Sequence, residues 1–377
     1  MKLRKALAAL FGLVILVTIS PALSFKVSAQ DLKPDVDALV SKLTKNGGMV
    51  GLSVGVISKS DQPQIFTYGE TVKGSHQKPS SSTLFQIGSI TKTFTGILLA
   101  LLAERKIVQF NDPLQKYVPA GIKVPSYNGR QILLEDLATH MSALPRNPPM
   151  TKQQTRLTVD EMYGLLRNLR LTREPGRQYE YSNWGFGLLA NALIRAAKTA
   201  DYQSLVHREV LTKLAMDQTA VHPSTEVAQG YRGDGRPAAW NMSTWPALDG
   251  AGALHSTAGD MLRYLSFNLG LSQTSLNSVL DTVLKPRVRG EGSWPIHSTG
   301  LGWEIVSRSK STQTVIEKTG GTLGFQTYIG FVREEPAGVV VLANSVATRS
   351  AALGREILTI LVRRRTSNVS SSQDRIR

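Results

Sequence analysis

A serine and a lysine stand three residues apart, Ser89 and Lys92, at the head of an apolar run from Phe94 to Leu102. On a helix such positions share a face, with Cβ atoms about 5–6 Å apart, so the hydroxyl and the amine can meet. Gly88 permits a tight entry into that helix. The helix start also offers unpaired N–H groups and a positive dipole end, which favour a developing alkoxide and disfavour the ammonium form of Lys92. A serine hydroxyl is a weak nucleophile unless a base assists it. The chemistry on offer is therefore nucleophilic attack by an activated serine. S-x-x-K alone is thin evidence, because such serines commonly cap helices.

Two further patterns sit far downstream. Tyr181-Ser182-Asn183 follows a break at Pro175-Gly176 and opens a helix expected over Trp184 to Lys198. Read blandly, the asparagine caps that helix and the tyrosine packs. Read chemically, a phenol and an amide face one cleft. Lys318-Thr319-Gly320-Gly321 lies on a run that reads as a strand. There the glycines would let a substrate backbone lie alongside, and the ammonium and hydroxyl would hold a carboxylate. Gly51-Leu52-Ser53-Val54-Gly55 matches a competing nucleophile pattern, G-x-S-x-G, which works only at a sharp strand-to-helix turn. Here strand alternation runs on to Ile57 and no helix follows, so Ser53 is set aside.

The elements that must position these groups are legible in outline. Leu32 to Lys45 has helical spacing, and Met49 to Ser58 with Ile65 to Thr71 alternates as a hairpin. The middle of the chain is helical. After the serine helix come Leu134 to His140, a helix from the Thr158/Glu161 capping box to about Leu169, then Trp184 to Lys198 and Tyr202 to Leu214. Another is capped at Ser256-Thr257 and runs through Leu265. Leu144 to Arg156 reads as a long polar loop, a length that often carries function. Four strands follow at Gly302 to Arg308, Thr314 to Thr319, Phe325 to Val332 and Gly338 to Asn344, before a last helix over about Ala347 to Val362. Arg363-Arg364-Arg365 complements its dipole, and Thr366 onward reads as a disordered tail. Strands lie at both ends of the chain with helices between, the pattern of a mixed α and β fold.

Composition bounds the setting. With 377 residues, 41% of them hydrophobic, the chain suits one large two-lobed unit or two domains. Lys2, Arg4 and Lys5, the apolar stretch Ala6 to Ile19 and the small residues Val27-Ser28-Ala29 read as an export signal, with Gln30 the first mature residue and an uncleaved anchor as the alternative. No run is long enough for an ordinary membrane span. The absence of cysteine excludes thiol nucleophiles, thiolate metal sites and disulfides. His76, His140, His207, His222, His255 and His297 show no ligand spacing, and phosphate-loop and dinucleotide patterns are missing. Neither metal nor cofactor is expected. A net charge of +16, about +12 without residues 1–29, favours anionic surfaces such as lipid headgroups or wall polymer, and export argues against nucleic acid.

Ser89-x-x-Lys92, Tyr181-x-Asn183 and Lys318-Thr319-Gly320, in that order, resemble the serine penicillin-recognising enzymes: class C β-lactamases, low-molecular-weight penicillin-binding proteins and related esterases. Asn111-Asp112-Pro113-Leu114-x-Lys116-Tyr117, Leu137-Ala138-Thr139-His140 and Leu342-Ala343-Asn344 extend the likeness over roughly residues 35–362. Val124-Pro125-Ser126-Tyr127-Asn128-Gly129, Ala143-Leu144-Pro145-Arg146 and Lys318-Thr319-Gly320-Gly321 are similar to the AmpH type of D-alanyl-D-alanine carboxypeptidase/endopeptidase. The resemblance implies a β-lactamase/transpeptidase-like unit over 30–365. An α/β lobe, an antiparallel sheet flanked by helices, would come from about 30–88 and 300–365. A mostly helical lobe would span about 89–299, and 366–377 would be a polar tail.

The resemblance also implies roles. Ser89 would attack the carbonyl of a D-Ala-D-Ala-type amide and form an acyl-enzyme. Lys92 would accept or relay the proton and hold the Tyr181 phenol by a hydrogen bond. An ordinary tyrosine has a pKa near 10, but the ammonium groups of Lys92 and Lys318 would favour its phenolate. Tyr181 would then protonate the leaving amine and later activate water. Backbone N–H groups of Ser89 and Gly321 would form an oxyanion hole. Asn183 would hold the substrate side-chain amide, assisted by Asn147, which is shorter than the glutamine common in the lactamases. Arg349 stands where those enzymes have an asparagine; with Lys318 and Thr319 it would grip a terminal carboxylate. The reading is a periplasmic, penicillin-binding DD-peptidase acting on peptidoglycan peptides, with peripheral attachment to an anionic membrane as an option. A class C β-lactamase, an esterase of the same fold and a non-catalytic wall-binding protein are the alternatives.

Overall fold

Strand β1 (Gly51–Ser58) is buried at every residue, which places Ser53 inside a central strand and not at a nucleophile turn. The computed structural model describes residues 32–44, 48–59, 61–150, 156–239, 245–287, 298–307 and 313–373. The export signal read over 1–29 and His297 lie outside them. β1 pairs with β2 (Gln64–Gly69), and the sheet is completed by β3 (Ser298–Thr299), β4 (Glu304–Ser307), β5 (Thr314–Gly321), β6 (Gln326–Val332) and β7 (Ala337–Ala343). Its order is β2-β1-β7-β6-β5-β4-β3, every neighbouring pair antiparallel. The N-terminal hairpin therefore joins the C-terminal strands through β1 against β7, with Leu52 opposite Ala343 and Ser58 opposite Ala337.

The helices are α1 (Lys33–Thr44), α2 (Thr91–Glu104), α3 (Leu134–Ala138), α4 (Val159–Leu166), α5 (Asn183–Ala197), α6 (Tyr202–Val206), α7 (Asp249–Gly252), α8 (Ala258–Asn268), α9 (Asn277–Leu284) and α10 (Ser350–Gln373). Alternation in β1 and β7 builds two cores. Val54, Val56, Val339 and Val341 pack with Val36 and Val40 of α1 and with Leu353, Ile357 and Leu358 of α10. Ile57, Val340 and Leu342 join the larger core with the remaining helices. α8, expected in the helical lobe, lies on β1 and β7 of the sheet.

Helix α2 is buried from Thr91 to Leu102, as a helix at the centre of a bundle should be. Its three threonines find partners inside. Thr91 Oγ1 accepts the Leu254 N–H, Thr93 Oγ1 accepts the Tyr264 hydroxyl, and Thr95 Oγ1 donates to the Gly250 carbonyl.

Two expectations fail here. The helix expected over Tyr202 to Leu214 is α6 followed by a π turn (His207–Leu211) and a 3₁₀ turn (Thr212–Leu214). The last helix does not give way to a disordered tail at Thr366; α10 continues to Gln373, because no glycine or proline after Gly354 stops it.

Candidate active site

Ser89 lies in a 3₁₀ turn, Gly88–Ile90, that feeds directly into α2. Gly88 has φ +53°, and a Cβ there would stand 2.8 Å from the backbone nitrogen of Gly321. Only glycine brings strand β5 this close to the serine turn. Gly320 makes the reciprocal contact: its Cβ would stand 2.0 Å from the Ile87 carbonyl oxygen, which also accepts the Thr327 hydroxyl at 2.9 Å. So Gly320 serves strand-on-turn packing, whereas Gly321 borders open space. Gly321 sits opposite Gln326, next to a pair in which the Thr322 N–H bonds to the Phe325 carbonyl. This register turns the Gly321 N–H away from β6, to the open edge beside Ser89.

At α5, Ser182 is the cap. Its Oγ accepts the Gly185 N–H at 2.9 Å and donates to the Pro145 carbonyl at 2.8 Å. Sequence reasoning offered Asn183 for that duty. With Ser182 capping, the Asn183 amide is free: Oδ1 accepts from Lys92 Nζ at 2.8 Å and Nδ2 donates to Asn147 Oδ1 at 2.8 Å.

Three of the sequence-selected groups converge on one oxygen. Lys92 Nζ lies 3.1 Å from Ser89 Oγ, and the Tyr181 hydroxyl donates to the same oxygen at 2.5 Å. Lys92 is fully buried and has two other acceptors, Asn183 Oδ1 and the Ala251 carbonyl at 2.6 Å. An ammonium has three donors, so all are used. A neutral amine has two N–H groups; with Asn183 and Ala251 taking both, its lone pair is left for Ser89. Its tie to Tyr181 is one of charge and of a side-chain hydrogen bond.

Burial pushes the Lys92 pKa down to about 8; Tyr181 resists that fall, and the charges of Lys318 and Arg146 add to it. Burial works against the Tyr181 phenolate, but Lys92 and Lys318 outweigh it, and the phenol is held below its usual value. Their nitrogens lie 4.9 and 5.1 Å from the Tyr181 ring centroid. Lys318 is itself buried. Burial opposes its charge, but Glu304, with an oxygen 2.7 Å from Nζ, keeps it an ammonium. Sequence reasoning missed Glu304. The signal was weak, a single acid at the start of a strand with nothing to mark its side chain as inward.

His140 stacks on Tyr181 at 4.4 Å, tilted 31°, and its Nδ1 accepts the Ser182 N–H at 3.0 Å. Burial, then the charges of Lys318, Lys92 and Arg146, push its pKa well below the imidazole range. It is a neutral support for the phenol ring. Thr319 is half-buried and Gly321 exposed on β5. Arg349 is exposed at the residue before α10, and among the described residues no hydrogen bond or ion pair of its side chain joins it to Lys318 or Thr319.

The Ala251 carbonyl that orients Lys92 belongs to α7, whose first residue is the buried Asp249. Burial, with the charge of Asp201, pushes its carboxyl up to about 8. An unfolded chain releases that proton near pH 3.9. Between about pH 4 and 8 the folded state therefore holds a proton that the unfolded state has lost. Its contribution to stability is complete below about pH 4 and is lost as pH rises through about 8. Asp249→Asn should gain stability over the parent between pH 5 and 8.5, by on the order of 4 kcal/mol. Thermal melts at the two pH values check this; a gap that does not widen contradicts it.

A serine oxygen held between an amine and a phenol, under a strand with a free N–H, defines a site for acyl transfer. The β-lactamase family model matches residues 36–362, and the chain belongs to the β-lactamase family. It is 31% identical over 328 residues to the D-alanyl-D-alanine-carboxypeptidase/endopeptidase AmpH of Escherichia coli K12, covering 83% of this chain and 84% of that one. It is 28% identical over 351 residues to a β-lactamase of Pseudomonas fluorescens, covering 84% and 94%. The Yersinia pestis β-lactamase/D-alanine carboxypeptidase, solved with citrate, superposes with a TM-score of 0.76 at 29% identity over 89% of this chain and 99% of that one. The fold is that of the β-lactamases and transpeptidases, as the sequence resemblance implied.

Proposed function

We propose that this protein is a serine hydrolase that cleaves D-Ala-D-Ala-type peptide bonds of peptidoglycan through an acyl-enzyme, and that penicillins acylate the same serine. The observation that carries the reading is the Lys92 amine, with two N–H groups committed to Asn183 and Ala251 and its third direction on Ser89 Oγ. The Ser89 oxygen attacks the carbonyl carbon and its proton passes to the Lys92 amine, directly or by way of the Tyr181 oxygen. Charge on the carbonyl oxygen is met by the N–H groups of Ser89 and Gly321. The phenol of Tyr181 then protonates the leaving amine as the C–N bond breaks. Water repeats the sequence in reverse to free the acid. Asn183 and Asn147 hold the amide on the acyl side, and Lys318 and Thr319 hold the carboxylate on the leaving side.

Arg349 joins that carboxylate contact in the bound state. Its guanidinium is exposed and has no hydrogen bond or ion pair among the described residues, which supports this assignment. Arg349→Ala should lower D-alanine release about tenfold, in line with the loss of a charge-assisted contact; unchanged release contradicts the assignment.

The identity to an enzyme named for D-alanyl-D-alanine cleavage supports the peptidase reading. β-Lactamase action is the second reading, supported by the relative of that name; fast steady-state turnover of a cephalosporin would favour it. An esterase is disfavoured by the intact Lys318-Thr319-Gly320. The deciding experiment gives the protein labelled penicillin and purified muropeptides, and follows acylation, deacylation and D-alanine release, with Ser89→Ala as control. No acylation by penicillin and no D-alanine release would overturn the reading and favour a wall-binding protein.

The setting we propose is the periplasm, with residues 1–29 as the export signal. Among the described residues no helix is long and apolar enough to cross a membrane. Peripheral attachment through Arg363 to Arg365 is supported by charge, although Arg364 is paired with Asp35 at 2.6 Å.

A further inference from the structure

Arg146 stands beside the site and takes no part in the chemistry above. Its backbone is fixed: the carbonyl accepts the N–H of Asn183 at 2.7 Å and of Trp184 at 3.4 Å, and the next residue, Asn147, holds the Asn183 amide. Its side chain is exposed, with the guanidinium carbon 4.7 Å from the Tyr181 ring centroid. Among the described residues no carboxylate pairs with it. By contrast Arg173, Arg236, Arg263 and Arg287 all have carboxylate partners. Two cations, Arg146 and Lys318, and the Lys92 amine thus lie within about 5 Å of one phenol ring, and of the two cations only Lys318 has a carboxylate partner among the described residues. Like charges held this close repel, and a bound anion would relieve them.

The position says which part of a ligand that anion belongs to. Arg146 adjoins the Asn147–Asn183 pair, on the acyl side, whereas the leaving-side carboxylate is assigned to Lys318 and Thr319. We propose that Arg146 binds a carboxylate carried by the acyl-donor half of the substrate, so that the cleft selects peptides with an acidic group on each side of the scissile bond. A guanidinium suits this because it meets a carboxylate with two parallel hydrogen bonds. The proposal rests on the acyl-transfer reading of the site.

The test compares benzylpenicillin, whose side chain is neutral, with carbenicillin, which carries a carboxylate on that side chain. Arg146→Ala should lower the second-order acylation constant for carbenicillin at least about tenfold more than for benzylpenicillin, the scale of a charge-assisted pair. Arg146→Lys should retain part of the preference, since it keeps the charge and loses the fork. Added salt should erode the preference in the parent protein. Equal losses for both penicillins, or an unchanged ratio, overturn the proposal. Dissociation constants of the two penicillins measured on Ser89→Ala, with and without Arg146→Ala, read the same preference with no acyl transfer. If neither penicillin acylates the parent, the proposed function fails, and the binding ratio still decides for or against Arg146.

Discussion

Replacing Lys92 with methionine is expected to lower the acylation rate by roughly 10³-fold or more, toward the upper end of what a positioned base contributes. Methionine fills much of the same buried space and removes the lone pair directed at Ser89. In the parent protein the pH profile carries a second mark of the same group. Burial holds the Lys92 amine at a pKa of about 8, so the base is protonated below that pH. The second-order acylation constant should fall about tenfold per pH unit on the acid side of this value and level off above it. Stopped-flow acylation with a fluorescent penicillin between pH 6 and 10 measures both effects. A methionine variant that keeps more than a tenth of the rate, or a parent profile flat across pH 7 to 9, excludes Lys92 as the base.

Tyr181→Phe is expected to cost roughly 10²–10³-fold, within the range for loss of a positioned acid–base group. The ring that stacks on His140 is retained, so the loss reports the hydroxyl that donates to Ser89 at 2.5 Å. The same substitution should move the pH profile. Tyr181 raises the Lys92 pKa against the effect of burial; without the phenol, Lys92 releases its proton more easily and the acid limb shifts below about pH 8. A variant that is slow but has an unshifted limb would falsify the electrostatic coupling of phenol and amine. The loss should be larger for D-alanine release than for β-lactam acylation, because relief of ring strain helps a lactam C–N bond break, whereas an unstrained amide depends more on protonation of its leaving nitrogen.

Much of this site is legible along the chain because its parts obey local rules. Ser89 and Lys92 are three apart, a spacing that puts them on one helical face, and they do meet at 3.1 Å. Gly88 before the serine reads as a tight turn and has the positive φ that requires it. The capping box at Thr158 and Glu161 forms as its spacing predicts. Errors arise where two residues compete for one local duty. Ser182 and Asn183 are both good caps, and nothing between them in sequence says that the serine caps and the asparagine reaches the lysine.

What the sequence by itself determined is which candidate groups, Ser89, Lys92 and Tyr181, would stand together, the hairpin and terminal strands that make the sheet, and the helix that carries Lys92 just after Ser89. Periodicity, glycine placement and helix spacing act over a few residues, so these features leave local traces. Only the tertiary structure decided the state of those groups. The carbonyl that turns the Lys92 lone pair belongs to Ala251, 159 residues away, and the carboxylate that keeps Lys318 charged belongs to Glu304 on another strand. Which proton each amine holds depends on burial and on partners assembled across the fold, and no pattern within a short window records either.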